Sequence, residues 1–435
     1  MTNTFSQKQD PYFVSTKRAV IWTSIFNEPL QMLYYGFTAV ILYRDLHASN
    51  FQLALYTMLK PLVAILSVYW SSIMQRGNQF GNKRLVSNII FTGILARLPF
   101  FFVPLIENPW LMILSTSSYM MLSRGGLPAW MEVIKQNLPE EKRSKIFSYS
   151  AAFGYLEGIL LSLGMGIALD TCEHAWKWLF PLTAGIGMLG IIFQAMIQQK
   201  LQPKIEPTIT QNTQQQPFTS LKEYILSPWK ESLTLLTTRA DFLYFQFGFM
   251  LAGSAMMVLQ PALPCFFVDY LKLSYTEIAI ALSLCKGLGF AGTSPLWSRY
   301  LNRFDIYRTA ALVFLTVCLF PLFLMSSLIN PLFIYLAYFC YGIGQAGSHL
   351  TWHLSGTLFA KDEDSYPFSN VNVLTVGIRG AVVPPLGSLL SFIFGPIGTF
   401  VSSMALCFLA GKTMLHYGRL GVGSRPFPVM DKASS

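Results

Sequence analysis

The chain has 435 residues, of which 53% are hydrophobic, 15% aromatic and only 12% charged. That balance excludes an ordinary soluble domain and points to a protein that lives in a bilayer. A net charge of +10 would suggest nucleic acid as the partner of a soluble chain, but here the bases are sorted by position between apolar stretches, and no nucleic acid is expected.

About twelve such stretches are long enough to cross as helices, each needing roughly 20 residues. They are continuous rather than alternating, so helices and not a closed barrel satisfy the backbone. Residues 1–17 are polar and carry no cleavage pattern after a short apolar core, so the first span itself is expected to direct insertion. The first six spans are placed at 18–43, 52–74, 85–106, 109–134, 145–169 and 175–198. Residues 199–238 then turn polar and Pro- and Gln-rich (Gln211, Gln214, Gln215, Gln216), a linker with an amphipathic surface helix around Leu221 to Leu236. Six more spans follow at 240–268, 276–298, 307–329, 331–356, 367–394 and 396–416. The tail from Gly418, with Gly421, Gly423, Pro426 and Pro428, reads as disordered. The domains are therefore 1–198, 199–238 (linker), 239–417 and 418–435 (tail).

With the N-terminus in the cytoplasm, only Arg44, Lys177 and Lys272 among the bases outside the spans fall on the far side. This is the asymmetry of the positive-inside rule, with both termini cytoplasmic in an inner or plasma membrane. The two halves also repeat. Pro99 maps to Pro321, Asn108-Pro109 to Asn330-Pro331 and Trp130 to Trp352 at one constant offset. A repeat this long in so apolar a chain marks a transporter built from two like-oriented halves.

Two further matches carry a family resemblance. Leu46-His47-Ala48-Ser49-Asn50-Phe51-Gln52-Leu53 and Leu271-Lys272-Leu273-Ser274-Tyr275-Thr276-Glu277-Ile278 resemble the turns into helices two and eight of the major facilitator superfamily. Asn78-Gln79-Phe80-Gly81-Asn82-Lys83-Arg84 occupies the place of that family's basic loop after helix two, with its Asp and first Arg replaced by amides. The Gly-Pro stretch of the family's drug antiporters is missing from helix five, which reads Gly154-Tyr155-Leu156-Glu157-Gly158. The resemblance implies an all-α integral membrane protein of 12 transmembrane helices in two pseudo-symmetric six-helix bundles. It also implies alternating access about a central site lined by helices one, four, seven and ten, and a proton gradient as driving force.

Charged groups inside a membrane cost about 2.5–3.5 kcal/mol each at a helix centre and call for a role. The embedded set is Glu28, Lys60, Arg97, Arg124, Glu157, Lys286 and Arg379. Glu28 lies mid-way along helix one beside Pro29, where a broken helix opens polar backbone to a cavity; a carboxylate there is suited either to take up a proton or touch substrate, or to be neutralised by a nearby arginine. In the family's layout helices five and eight face each other, so Glu157 and Lys286 are read either as an interdomain pair that switches partner or as a fixed bridge. Helices two and eleven face likewise, so Lys60 and Arg379 would meet with like charge, a conflict that an anion between them relieves. Arg97, in a helix that the family places toward the periphery, reads either as snorkelling to an interface or as pairing locally, and Arg124 as a gate residue near the cytoplasmic end of helix four. Five embedded bases against two acids favour an anionic or zwitterionic organic solute.

Helix ten carries Gln345, His349 and His353. The two histidines share one face, which suits either substrate contact, titration or plain packing; without a third ligand no metal is expected. The six cysteines show no disulfide or metal spacing. No nucleophile–base constellation, Walker sequence or dinucleotide turn occurs, so neither an enzyme, a cofactor nor ATP-driven transport is expected. The competing functions are an exporter of drugs or amphipathic cations on the same fold, and a receptor or scaffold that keeps the fold without transport.

Overall fold

The computed structural model describes residues 10–76, 83–198, 221–360 and 366–420, which are overwhelmingly helical with no strand among them. In chain order the α-helices are α1 (Pro11–Met32), α2 (Thr38–Arg44), α3 (Asn50–Arg76), α4 (Lys83–Arg97), α5 (Pro109–Asn137), α6 (Glu140–Thr171), α7 (Trp176–Ala195) and α8 (Leu221–Thr238). They continue as α9 (Ala240–Leu259), α10 (Leu263–Cys265), α11 (Tyr275–Ala279), α12 (Lys286–Arg303), α13 (Ile306–Val317), α14 (Leu319–Ser326), α15 (Phe333–Ala360) and α16 (Tyr366–Arg419). Irregular turns join several into longer rods: π-turns at Leu33–Phe37, Phe266–Tyr270 and Ile280–Cys285, and 3₁₀ turns at Leu98–Leu105 and Gln260–Ala262. Among the described residues six helices are long and apolar enough to cross a membrane: Leu85–Leu105, Trp176–Ala195, Ala240–Tyr270, Tyr275–Leu301, Ile306–Ser326 and Asn370–Arg419.

The repeated sequence turns out to be repeated capping. Asn108 accepts a hydrogen bond from the Trp110 amide at 2.9 Å, and Asn330 accepts one from Leu332 at 3.0 Å. Each Asn satisfies an orphan donor at a helix start, and the following proline tolerates the first turn because no amide is needed there. The second matched pair is a reciprocal capping box. Ser49 and Gln52 exchange bonds of 2.8 and 3.3 Å, as Ser274 and Glu277 do at 2.8 and 3.1 Å. His47 and Lys272 occupy the same place in the two turns, with φ of 52° and 53°.

α16 is two helices in one run. Gly395 sits at φ 69°, ψ −178°, a conformation open to glycine alone, and Pro396 removes the next amide from the ladder. The chain turns there between residues 366–394 and 396–419.

The packing differs at the two ends of the molecule. At the end remote from the linker, one apolar cluster is shared by both halves of the sequence, running from Leu30, Tyr34 and Phe100 to Phe266, Tyr275, Phe320 and Phe400. At the linker end the clusters separate: Phe242, Tyr307, Phe359 and Met414 belong to one, and Ala19, Val86, Val133 and Ile197 to another. Burial of apolar surface drives each cluster, so among the described residues the halves share a core at one end only. Two helix pairs carry the junction, α3 with α16 and α6 with α11. α3 and α16 approach so closely that a Cβ on Gly380 would lie 2.0 Å from Pro61 Cγ.

The surface helix expected around Leu221 to Leu236 is α8. Its Trp229 Nε1 donates to the Tyr69 hydroxyl at 2.6 Å, tying it to α3, while Leu226 and Leu233 stay exposed. The basic loop at 78–82, the linker at 199–220 and the tail from 421 lie outside the described residues.

Candidate functional site

Glu28 stands on α1 one residue before Pro29, which breaks the helix ladder. Its carboxylate fills a notch on α6 made by Gly154 and Gly158, four residues apart and so on one face. A Cβ on Gly158 would come within 2.8 Å of Oε1, and one on Gly154 within 3.4 Å of Oε2. The neighbouring charge is Glu157, within electrostatic reach. Neither acid has an ion-pair partner among the described residues, and no arginine among them neutralises Glu28.

Lys60 on α3 points into tyrosines. Its Nζ lies 4.2 Å from the ring centre of Tyr56, 5.1 Å from Tyr34 and 5.7 Å from Tyr35. Aromatic faces attract a cation, each contact contributing about 0.5–2 kcal/mol. Tyr34 and Tyr35 are brought to the same ammonium by the π-turn at Leu33–Phe37, which widens the helix as such turns do at functional sites. Tyr56 donates to the Tyr34 carbonyl at 3.2 Å, which braces the cage against that turn. Arg124 on α5 is exposed and engages Tyr35, itself 49% exposed, so the cluster is open rather than sealed. Tyr119 closes the chain of contacts. Its ring lies 5.2 Å from Tyr34, and its phenol is within electrostatic reach of both Glu28 and Arg97.

Lys60 and Arg379 do not converge. The Arg379 guanidinium crosses from α16 onto α9, where Nη1 donates to the Phe249 carbonyl at 2.8 Å. It lies flat on Gly253, where a Cβ would collide with it at 1.8 Å. The backbone carbonyl satisfies part of the cation and the tyrosines hold Lys60, so the expected like-charge conflict is resolved within each half. Of the two roles open to Arg97, it takes local pairing: Nη1 donates to the Gly93 carbonyl at 2.7 Å and Nη2 to Asn27 Oδ1.

Glu157 and Lys286 are not an ion pair in this conformation. They stand within two turns of the place where α6 meets the second half, marked by Ser283 donating to Ser162 at 2.7 Å. Gln345 and His349 lie one turn apart on α15. His349 is exposed, with Phe290 edge-on at 6.0 Å; the side chain of His353 lies outside the described residues. No cluster of metal-ligating groups occurs among the described residues. A cleft of about 380 Å³ between α3 and α16, lined by Phe51, Leu55, Met58, Leu389 and Phe392, is apolar and contains none of these charges.

Sequence reasoning missed Tyr56 and Tyr119. Tyr56 lies one turn before Lys60 on α3, an i,i+4 spacing that could have paired them, whereas Tyr119 sits on α5, away from the residues it meets, and gives no local signal. It also missed Tyr43, Asp45, Asp170 and Asp269 at the remote end, where nothing local sets them apart from ordinary loop residues.

The whole helical framework matches solved transporters. A point mutant of the nucleoside transporter NupG superposes with a TM-score of 0.71 at 10% identity, covering 92% of this chain and 99% of that one. The family model for the Major Facilitator Superfamily matches residues 21–366. The chain belongs to the Major Facilitator Superfamily. Other members with the same fold are a bacterial homolog of the human lysosomal transporter Spinster, inward-facing and unoccupied, and a POT family transporter in complex with 5-aminolevulinic acid. The first has a TM-score of 0.64 at 14% identity, covering 94% of this chain and 98% of that one. The second has a TM-score of 0.67 at 13% identity, covering 94% and 96%. A comparison with curated protein sequences found no significant match. This facilitator-superfamily chain is therefore a multi-pass membrane protein of transporter type, all-helical in the family's fold.

Proposed function

We propose that the chain is a secondary active transporter that moves a small zwitterionic or anionic organic solute by alternating access, with proton coupling through Glu28. The observation that carries this reading is the arrangement of unneutralised charge about α1. Glu28 and Glu157 lie on one side without a base, and Lys60 and Arg124 on the other without an acid, bridged by Tyr34, Tyr35 and Tyr119. A solute amine meets the carboxylates and a solute carboxylate meets the bases. A mono-anion uses the basic side and leaves a proton on Glu28.

The proposed layout is twelve crossings in two six-helix bundles, 1–198 and 239–417, with both termini in the cytoplasm of the cell's inner or plasma membrane. The shared core at the remote end and the divided cores at the linker end suit a conformation open to the cytoplasm. Arg379 then enters as a contact of another state, reached on leaving the Phe249 carbonyl, and Glu157 with Lys286 as a pair formed when the linker end closes. Gln345, His349 and His353 complete the cavity wall on α15.

The test is a thermal-shift screen of the purified protein against organic anions, zwitterions and cations at two pH values. Stabilisation by zwitterions or anions, lost in Lys60→Ala and Arg124→Ala, supports the reading. Stabilisation by cations alone, unchanged in both variants, overturns it in favour of cation export.

A further inference from the structure

The remote end is closed by polar contacts between the two halves, and their chemistry is uniform: carboxylates accept from neutral donors. Asp170, at the end of α6, accepts from the Tyr275 amide at 2.8 Å, the Thr276 amide at 2.8 Å and the Thr276 hydroxyl at 2.6 Å. Asp45, just past α2, accepts from the Tyr275 hydroxyl, and the Tyr43 hydroxyl donates to Asp269. Arg44 stacks on the Tyr275 ring at 4.8 Å, and no ion pair joins the halves here among the described residues. Asp170 grips the first turn of the rod that runs through α11 into α12. That turn already has its own cap in Ser274 and Glu277, so Asp170 supplies a second, interdomain one.

We propose that Asp170 is the clasp of the remote-side gate: it holds the outer end of this transporter shut by gripping Tyr275 and Thr276, and the gate opens when that grip is lost. The proposal rests on the alternating-access reading but is independent of the solute. Geometry makes Asp170 the centre of the closure. It engages three donors at once, all charge-assisted and so roughly twice as strong as neutral bonds, whereas Asp45 and Asp269 each take one hydroxyl from the opposite half. Below it α6 and α11 touch backbone to backbone, since a Cβ on Gly166 would lie 3.0 Å from Thr276 Cα. Loss of the grip therefore frees a whole helix pair.

The chain carries its own reporter. Cys285 is half-buried at the end of the π-turn below the clasp, packed against the shared core, and a membrane-impermeant maleimide added outside intact cells reaches it only through an open gate. Labelling at Cys285 is read by peptide mass spectrometry. Asp170→Asn is expected to raise the labelling rate roughly tenfold, and Thr276→Val, which removes one of the three donors, by a smaller factor. Gly166→Leu, which wedges the helix contact, serves as the independent opener. Labelling that rises in Gly166→Leu but stays at the wild-type rate in Asp170→Asn overturns the clasp and leaves alternating access standing. No rise in either variant overturns both.

Discussion

The Glu28 carboxylate lies in a notch that exists only because residue 158 has no side chain: a Cβ on Gly158 would approach Oε1 to 2.8 Å. The one acid of α1 is thus seated against α6 rather than in open water. Gly158→Ala is expected to displace it and Gly158→Leu to expel it. With a solute found by the screen, exchange in proteoliposomes should fall roughly tenfold or more in Gly158→Leu, because small misplacements of a working group are costly. Glu28→Gln should keep solute exchange and lose its dependence on the proton gradient. A gradient-driven uptake that survives Glu28→Gln removes Glu28 from the coupling step.

The tyrosine cage around Lys60 holds a cation with no acid to neutralise it. Replacement by an apolar side chain of similar length removes a desolvated charge, and such exchanges are often neutral or stabilising. Lys60→Met is therefore expected to leave the melting temperature of the empty protein unchanged or raise it, while abolishing the stabilisation by anionic or zwitterionic solute. Tyr56→Leu should lower stability by about 1 kcal/mol, through loss of a cation–π contact and of the bond to the Tyr34 carbonyl. A Lys60→Met protein that melts lower and still binds solute would show the lysine to be structural.

The remote-side gate should have two pH limbs. Burial pushes Asp170 up, but the Thr276 hydroxyl, the Thr276 and Tyr275 amides and Arg44 together hold it below the ordinary carboxylate range. Its contribution to closure is complete above the value of an open, solvated Asp, about 3.9, and is lost as pH falls through the lowered value. Asp45 goes the other way. Its burial outweighs the Tyr275 hydroxyl, Arg44, His174 and His47, and raises it. Closure takes up a proton there, so that contribution is full below the solvated value and lost as pH rises through the raised one. The remaining charged groups nearby are Glu173, which faces His174 at 3.8 Å, Asp269, Lys272 and Glu277. The rate of Cys285 labelling from outside, divided at each pH by the rate in the open Gly166→Leu variant to remove the thiol's own pH dependence, should accordingly be least near pH ~4 and rise on both sides. Asp45→Asn should flatten the neutral limb and Asp170→Asn the acid one. A profile without a minimum, unchanged by either substitution, would count against both assignments.

Gly395 tests the bend in α16. At φ 69° and ψ −178° any other L-residue is strained by about 1–3 kcal/mol, while the nearest atom to a new Cβ, the Tyr270 hydroxyl oxygen, is 3.6 Å away. Gly395→Ala should thus cost stability through the backbone and not through crowding. Its melting temperature should drop, and shortening Tyr270 in the double variant Gly395→Ala, Tyr270→Phe should restore nothing. Recovery in the double variant would assign the cost to the hydroxyl instead.

What the sequence determined by itself is what short-range physics controls. Continuous apolar runs dictate helices, because a bilayer offers backbone amides no other partner. Asn108-Pro109 and Asn330-Pro331 start helices, and the Ser49 and Ser274 boxes cap them, because those bonds close within three residues. The embedded charges were visible as exceptions in an apolar text. Only the tertiary structure decided where each of them goes. Lys60 faces tyrosines from two helices, Arg379 turns to a carbonyl on α9, and Glu28 meets glycines on α6 with a second acid beside them. Each choice depends on how neighbouring helices are rotated about their axes, and a π-turn or a single glycine shifts that rotation without altering the hydrophobic pattern. The Asp170 grip on Tyr275 and Thr276 joins residues more than a hundred positions apart, and nothing local announces it; it exists because the two halves close on each other at that end.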